Sequence, residues 1–137
     1  VGVKLHPVEM RGHDDLGHAF DRLTQVGADA LYVVSSRPTV AAIEPIVAFA
    51  TKNKMPMAGG WGAWAESGAL ISYGPDVLEI ARQAANYVDK ILKGAKATDL
   101  PAQQPTRFQL LVNLKTAKSL GLAIQEAFLL QAEKIIE

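Results

Sequence analysis

The stretch from Leu70 to Gly94, LISYGPDVLEIARQAANYVDKILKG, determines how the rest of the chain is organised. Strand-forming side chains open it, and Gly74 and Pro75 then end the extended run. A proline suits the first position of a helix, because its missing N–H would have no partner there. Asp76 adds a negative charge at the positive end of the helix dipole, and Gly94 can take the left-handed conformation that ends a helix. We therefore predict a strand, a turn and a helix with one buried apolar stripe, formed by Leu78, Ala81, Ala84, Ala85, Val88, Ile91 and Leu92.

Strand and helix patterns alternate along the rest of the chain. Strand patterns fall at residues 1–10, 30–34, 55–60 and 108–114, and helix patterns at residues 13–26, 40–50, 115–120 and 125–136. We expect Pro45 to kink the second of these helices. The run ALYVV (30–34) is apolar throughout, as in a parallel strand covered on both sides. The alternation predicts an α/β fold, namely an open parallel sheet with helices on both faces.

Composition excludes several classes of function. The 137 residues suffice for one domain, and 14 basic residues balance 14 acidic ones, so no basic excess favours nucleic acid. The chain has no cysteine, which excludes disulfides, thiolate metal sites and a cysteine nucleophile. No apolar run approaches the ~20 residues of a membrane span. The first residues, VGVKLHPVEM, do not form a signal peptide.

Loops after three predicted strands hold the candidate binding residues, because ligands of open parallel sheets bind at the carboxyl ends of the strands. The loop after ALYVV contains Ser35, Ser36 and Arg37, whose hydroxyls and guanidinium could hold a carboxylate or another anion together with helix amides. Ser36 could equally cap the next helix while Arg37 faces solvent. The two roles are compatible.

Aromatic residues follow the other two strands. Trp61 comes directly after a glycine-rich turn, where a large exposed ring would suit a lid that stacks on a ligand. For Trp64 we favour packing against a neighbouring helix. Tyr73 could donate its hydroxyl to a ligand or pack its ring at the strand end. The predicted ligand-binding set is Ser35, Ser36, Arg37, Trp61 and Tyr73.

Motifs for catalysis, cofactors or metals are set aside. The segment GWGAWA (60–65) matches a dinucleotide fingerprint, but tryptophans stand where the backbone must approach a pyrophosphate. No phosphate loop and no G-x-S-x-G elbow is present. His13 and His18 are five residues apart and fall on different helix faces, so they form no metal site with His6. We predict a protein that is not an enzyme and needs no cofactor.

The segments SYGPD (72–76) and YVDKILKGAKATDLPAQQPTRFQLLVNLKTAKSLGL (87–122) resemble the C-terminal part of ABC-transporter substrate-binding proteins. The subfamily has the type I periplasmic-binding fold, and some of its members bind aromatic amino acids. The likeness runs from about Gly27 to the end, and more loosely back to Val1. The chain thus resembles the C-terminal half of a longer, exported periplasmic protein.

The resemblance implies a mechanism in which two lobes close on a small solute, such as an amino acid or an aromatic acid, and the closed form meets a membrane permease. It implies that residues 1–67 belong to the second lobe, that residues 68–106 cross to the first lobe with the central helix, and that residues 107–137 return. Without its partner lobe, that helix must fold onto its own sheet or pair with another copy, which favours a symmetric or swapped homodimer.

Two other classes of protein are alternatives to a substrate-binding protein. An inducer-binding domain of a transcription regulator shares the fold, but would need a DNA-binding segment that the sequence does not contain. An α/β enzyme of flavodoxin-like topology would show a cofactor or a catalytic cluster, and the sequence offers no candidate for either.

Overall fold

The computed structural model describes residues 2–137, and these residues form one mixed five-stranded sheet with helices. The strands are β1 (Leu31–Val33), β2 (Met57–Gly59), β3 (Ile71–Pro75), β4 (Phe108–Asn113) and β5 (Lys134–Ile136), and they lie in this order across the sheet. The first three strands are mutually parallel, β4 is antiparallel to β3, and β5 is parallel to β4. The α/β class is confirmed, but the prediction of a wholly parallel sheet is wrong at β4.

Seven α-helices connect the strands within residues 2–137. They are α1 (Leu16–Gln25), α2 (Arg37–Ala41), α3 (Ile43–Lys52), α4 (Gly62–Glu66), α5 (Val77–Leu92), α6 (Leu114–Ser119) and α7 (Glu126–Leu129). Short 3-10 helices occupy His13–Asp15 and Ala97–Asp99. The predicted kink at Pro45 is a full break between α2 and α3 at Ala42. Proline cannot donate the N–H that a continuous helix needs, so the preceding turn opens.

The reversal at β4 follows from the length of the excursion that leaves β3. Helix α5 has sixteen residues and extends about 24 Å, and the fifteen residues from 93 to 107 are long enough to return over that distance. The chain therefore re-enters the sheet at the end where it left, and β4 runs back along β3. The Asp76 N–H donates to the Arg107 carbonyl at 3.0 Å and closes the excursion.

The hydrophobic core joins α1, α3 and α4 to β1 and β2. Its buried residues are Leu16, Val33, Ala42, Ile46, Ala50, Met55, Met57, Trp64 and Ala69. Trp64 is fully buried, and its ring lies so close to Gly59 that a Cβ there would be 2.3 Å from the indole Cγ. A side chain at that position is therefore excluded, and the glycine is what seats α4 on the sheet. On the opposite face of β1, Tyr32 is exposed.

Three predictions of local structure are wrong. Pro75 is the last residue of β3, paired with Phe108, and Asp76 is the N-cap of α5. Residues 2–10 have no regular structure, since within residues 2–137 no strand pairs with them, and Val3 and Leu5 are exposed; Val1 lies outside the described part. The helix predicted at 125–136 ends at Leu129. Ile135 instead lies in β5 and pairs with Val112 of β4, because the free edge of β4 offers backbone partners there.

Helix α5 buries none of its sixteen residues, so its predicted stripe exists but is not buried. Its apolar side chains point into solvent, and Leu78 is 69% exposed. Gly94 ends the helix region with a positive φ of 99°, as predicted. Across residues 2–137, every helix is too short or too polar to cross a bilayer.

Candidate functional site

The three segments that sequence reasoning selected lie side by side, but only the first two are loops, after β1 and β2, and the third, which contains Tyr73, is part of β3. A Cβ on Gly60 would be 3.1 Å from the Ser35 hydroxyl oxygen, which brings the first loop against the second. A Cβ on Gly74 would be 1.4 Å from the Gly60 carbonyl oxygen, which brings the second loop against the end of β3. Close backbone approach therefore requires a glycine at position 74, whereas a Cβ on Gly60 would press against the Ser35 side chain. We call the surface between Ser35 and Tyr73 the floor of this region. Gly60 and Gly74 contribute only backbone atoms to it.

Ser35 is held by a side chain from beneath the loops. The indole N–H of the fully buried Trp64 donates to the Ser35 hydroxyl oxygen at 3.0 Å. We predicted that Trp64 packs against a neighbouring helix; in the structure it is fully buried in the core, with its ring against Gly59 of β2. Its hydrogen bond to a residue 29 positions away was not predicted, because no local pattern couples α4 to the end of β1.

Ser36 caps α2, as the sequence suggested it could. Its hydroxyl accepts from the Thr39 N–H at 3.4 Å, and the Thr39 hydroxyl oxygen accepts from the Ser36 N–H at 2.9 Å. The Thr39 hydroxyl also donates to the Val34 carbonyl at 2.8 Å. These bonds fix the turn from β1 into α2. The Ser36 side chain therefore has a structural role as the N-cap of α2. It is half-buried and lies at the edge of the loop cluster.

Arg37 stands next to these serines and is exposed. The ion pairs formed within residues 2–137 do not include it. Its guanidinium therefore contributes an uncompensated positive charge to the loop after β1. Such a charge favours anions over cations in its vicinity.

The two aromatic candidates occupy different surroundings. Trp61 does not present the large exposed ring that we expected, because it is half-buried and packs against the core cluster. Tyr73 is 62% exposed, and its ring stacks on Phe108 with centroids 5.8 Å apart. The stacking fixes the ring at the strand end and leaves the hydroxyl accessible.

Tyr32 was not among the predicted site residues, yet it reaches the same loops. It is 65% exposed, and its hydroxyl oxygen would be 3.9 Å from a Cβ on Gly60. The run ALYVV was read as apolar on both sides, which hid this residue. A phenol in the middle of an otherwise aliphatic strand was the available signal, since a buried tyrosine hydroxyl would need a partner.

A groove of about 530 Å³ lies beside this cluster, where β3 passes into α5. Trp61, Asp76, Arg107 and Gln109 are among the residues that line it. Asp76 is only 6% exposed, and its carboxylate accepts from the Leu78 N–H, the Glu79 N–H and the Gln109 amide at 3.0, 3.2 and 3.0 Å. Sequence reasoning assigned Asp76 only a dipole role, because its partner Gln109 is 33 positions away.

The chemistry that these residues offer is hydrogen bonding and stacking. Across residues 2–137, histidine, aspartate and glutamate side chains form no cluster of three that could hold a metal ion. The loop cluster instead combines hydroxyls, one guanidinium and aromatic rings at the carboxyl ends of parallel strands. That is the place where open α/β sheets bind ligands.

Comparison with known proteins identifies a family. The model of ABC transporter substrate binding proteins matches residues 1–136. A conserved domain protein from Vibrio cholerae O1 biovar El Tor is 30% identical with a TM-score of 0.89, over 98% of this chain and 45% of that one. An ABC domain in complex with L-Trp from Streptococcus pneumoniae is 23% identical with a TM-score of 0.85, over 93% of this chain and 43% of that one.

A ligand-free, open substrate binding protein with adhesive properties from Clostridium difficile is 21% identical. Its TM-score is 0.59, over 90% of this chain and 41% of that one. No curated protein matches the chain. The chain spans less than half the length of each of the three solved structures. The Streptococcus and Clostridium proteins are similar in fold alone.

The family match covers nearly the whole chain and agrees with the predicted resemblance. It does not favour an inducer-binding domain of a transcription regulator. Proteins of this family bind substrates and are generally not enzymes, and they are typically periplasmic or extracellular. The fold of the chain is that of a periplasmic-binding-like domain. From its sequence match and its fold, the chain belongs to the family of ABC transporter substrate binding proteins.

Proposed function

We propose that this chain is the C-terminal part of the solute-binding component of an ABC importer. The observation that carries the proposal is the meeting of Ser35, Gly60 and Gly74 at the carboxyl ends of three adjacent parallel strands. A small solute would rest on this bare-backbone floor and bind through Ser35, Ser36, Arg37, Trp61 and Tyr73. The family match supports the importer role.

The solute is an amino acid or an aromatic acid. Arg37 supplies a positive charge for a carboxylate, and Trp61 and Tyr73 supply rings on which an aromatic group can stack. A related fold from Streptococcus pneumoniae is described in complex with L-Trp, which supports this class of solute. The protein binds its solute without transforming it.

The proposed division of the chain assigns residues 1–67 to one lobe, residues 68–106 to a crossover, and residues 107–137 to the return. Helix α5 supports it, because a helix that buries none of its residues against its own sheet needs another partner. That partner is a first lobe in the full-length, exported, periplasmic protein. Closure of the lobes over the solute would create the surface that an ABC permease recognises. With one lobe only, we expect weak binding or none.

A chain of residues 1–137 alone would form a symmetric or swapped homodimer through α5. The exposed apolar side chains of Leu78, Val88 and Leu92 motivate this, since covering apolar surface is worth about 25 cal/mol per Å². The homodimer is thus a property of the isolated part and is compatible with a monomeric full-length receptor.

The test is a binding screen of the full-length gene product. The protein is unfolded and refolded to remove any retained solute, and amino acids and aromatic acids are compared by thermal shift and then by calorimetry. We expect at least one solute to bind with micromolar affinity or better and to raise the melting temperature. An Arg37→Ala variant should weaken binding of acids, whereas Arg82→Ala, on α5 outside the loop cluster, should not. If no amino acid or aromatic acid raises the melting temperature, the proposed solute class is wrong.

A further inference from the structure

Two hydroxyl groups flank the space above Gly60. A Cβ on this residue would be 3.1 Å from the Ser35 hydroxyl oxygen and 3.9 Å from the Tyr32 hydroxyl oxygen. We call the space bounded by Tyr32, Ser35 and Gly60 the Gly60 notch. It exists because Gly60 has no side chain, and it opens at the carboxyl ends of β1 and β2, within the proposed binding region.

The direction of the Ser35 hydrogen bond is fixed by its partner. A tryptophan N–H can only donate, whereas a serine hydroxyl has one proton and two lone pairs. The Trp64 bond at 3.0 Å therefore makes the Ser35 oxygen an acceptor and leaves its proton to be donated elsewhere. Trp64 cannot rotate away, because it is fully buried with its ring against Gly59. Among residues 2–137, no group accepts the Ser35 proton.

We propose that Trp64 is a positioning residue whose N–H occupies one lone pair of the Ser35 hydroxyl and leaves its proton for a carboxylate oxygen of the solute, so that the Gly60 notch favours a carboxylate over an amine. This inference rests on the proposed function and names the chemical group of the solute that the site recognises. A carboxylate oxygen can accept the Ser35 proton, whereas an ammonium group could use only the one lone pair that the Trp64 bond leaves on the Ser35 oxygen. The positive charge of Arg37, two residues further on, adds to the discrimination, and the Tyr32 hydroxyl is a second donor for the same oxygen.

The test compares two probes with the same ring and chain length. Indole-3-propionate carries a carboxylate and no amine, and tryptamine carries an amine and no carboxylate. Binding of both, and of L-tryptophan, is measured by calorimetry on the full-length gene product and on four variants. Ser35→Ala removes the hydroxyl and Ser35→Thr keeps it. Gly60→Ala fills the notch, and Trp64→Phe removes the N–H while keeping an aromatic ring in the core.

We expect the acid to bind more tightly than the amine. Ser35→Ala should weaken the acid about tenfold and leave the amine unchanged, while Ser35→Thr stays within about twofold of the wild type. Gly60→Ala should weaken the acid as well. Trp64→Phe should lower the ratio of acid to amine affinity, which a purely structural role in the core would leave unchanged, since both probes would then lose affinity together.

A solute-free measurement checks the hydrogen bond itself. The resonance that is missing from the nitrogen-15 NMR spectrum of the Trp64→Phe variant assigns the Trp64 indole N–H. Ser35→Ala should move that resonance and speed its hydrogen exchange. If it does neither, the positioning role of Trp64 is refuted. If a probe binds but Ser35→Ala affects acid and amine alike, the inference fails while the proposed function stands. If none of the three probes binds the wild type, the aromatic solute and the inference fail together.

Discussion

Replacing Asp76 by alanine tests whether the junction of β3, α5 and β4 depends on one carboxylate. The change removes the N-cap of α5, whose loss costs about 0.5–2 kcal/mol. It also leaves the Gln109 amide without its partner at 3.0 Å, which costs about 1 kcal/mol. The ion pair to Arg107 adds little, because its atoms are 3.7 Å apart and the arginine side chain is 57% exposed. We expect a total loss of about 1.5–3 kcal/mol in the free energy of unfolding.

Asp76→Asn separates the cap from the charge. Asparagine keeps the oxygen that accepts from the Leu78 and Glu79 N–H groups, and the Gln109 amide can turn to offer its own oxygen. This variant should lose less than about 1 kcal/mol. The matched control is Asp89→Ala on the same helix, which removes an exposed pair with Lys93 and should cost at most about 0.5 kcal/mol.

The assay is urea unfolding of the wild type and the three variants, followed by far-ultraviolet circular dichroism and tryptophan fluorescence. The two signals also show whether α5 unfolds together with the core around Trp64. If Asp76→Ala is no more destabilising than Asp89→Ala, the reasoning about the junction is refuted. If Asp76→Asn is as damaging as Asp76→Ala, the charge and not the cap is what stabilises it.

Three further predictions concern the core, the floor and the exposed helix. Trp64→Ala should cost about 3–5 kcal/mol in urea unfolding because the residue is fully buried, and an effect below 1 kcal/mol would contradict the described core. Gly74→Ala should destabilise the protein by about 2 kcal/mol or more, because the new Cβ would lie 1.4 Å from the Gly60 carbonyl oxygen. Gly17→Ala in α1 meets open space and should be neutral or gain about 0.5 kcal/mol, so equal melting temperatures for these two alanine variants would refute the close contact. Residues 1–137 alone should sediment as a dimer that Val88→Asp converts to monomer, and a monodisperse monomer that binds no hydrophobic dye would refute the proposed homodimer.

The elements that the sequence predicts well are those whose signals are local. Helix α1 follows from apolar residues three and four apart, α6 from the short helix pattern at residues 115–120, and β1 from a short apolar run. The pairing of β4 against β3 is not local. It depends on whether residues 77–107 cross the sheet or turn back, and the residue pattern in this segment does not predict which of the two occurs. The segment around Ile135 reads as a helix for the same reason, because its pairing partner is 23 positions away in β4.

The candidate site divides in the same way. Strand ends and turn residues place Ser35, Ser36 and Trp61 in adjacent loops beside Tyr73, since the carboxyl ends of neighbouring parallel strands must meet, although Tyr73 itself lies in β3. The bond from Trp64 to Ser35 depends on the distance between α4 and β1 after the sheet has formed. The approach of Tyr32 to Gly60 depends on the twist and length of two strands. These two contacts are set by packing, and the spacing of residues along the chain does not predict them.

The hydrogen bond between Asp76 and Arg107 makes the segment 77–106, which contains α5, resemble an insertion between β3 and β4. Its two ends are hydrogen-bonded neighbours, and Pro75 already pairs with Phe108. From the standpoint of the sheet, residues 77–106 could be exchanged for a two-residue turn without moving either strand. Natural recombination or engineering could therefore graft a different module at this junction, and the sheet with its loop floor would be inherited unchanged. The helix that buries none of its residues is thus also the part that can be replaced with least disturbance to the core.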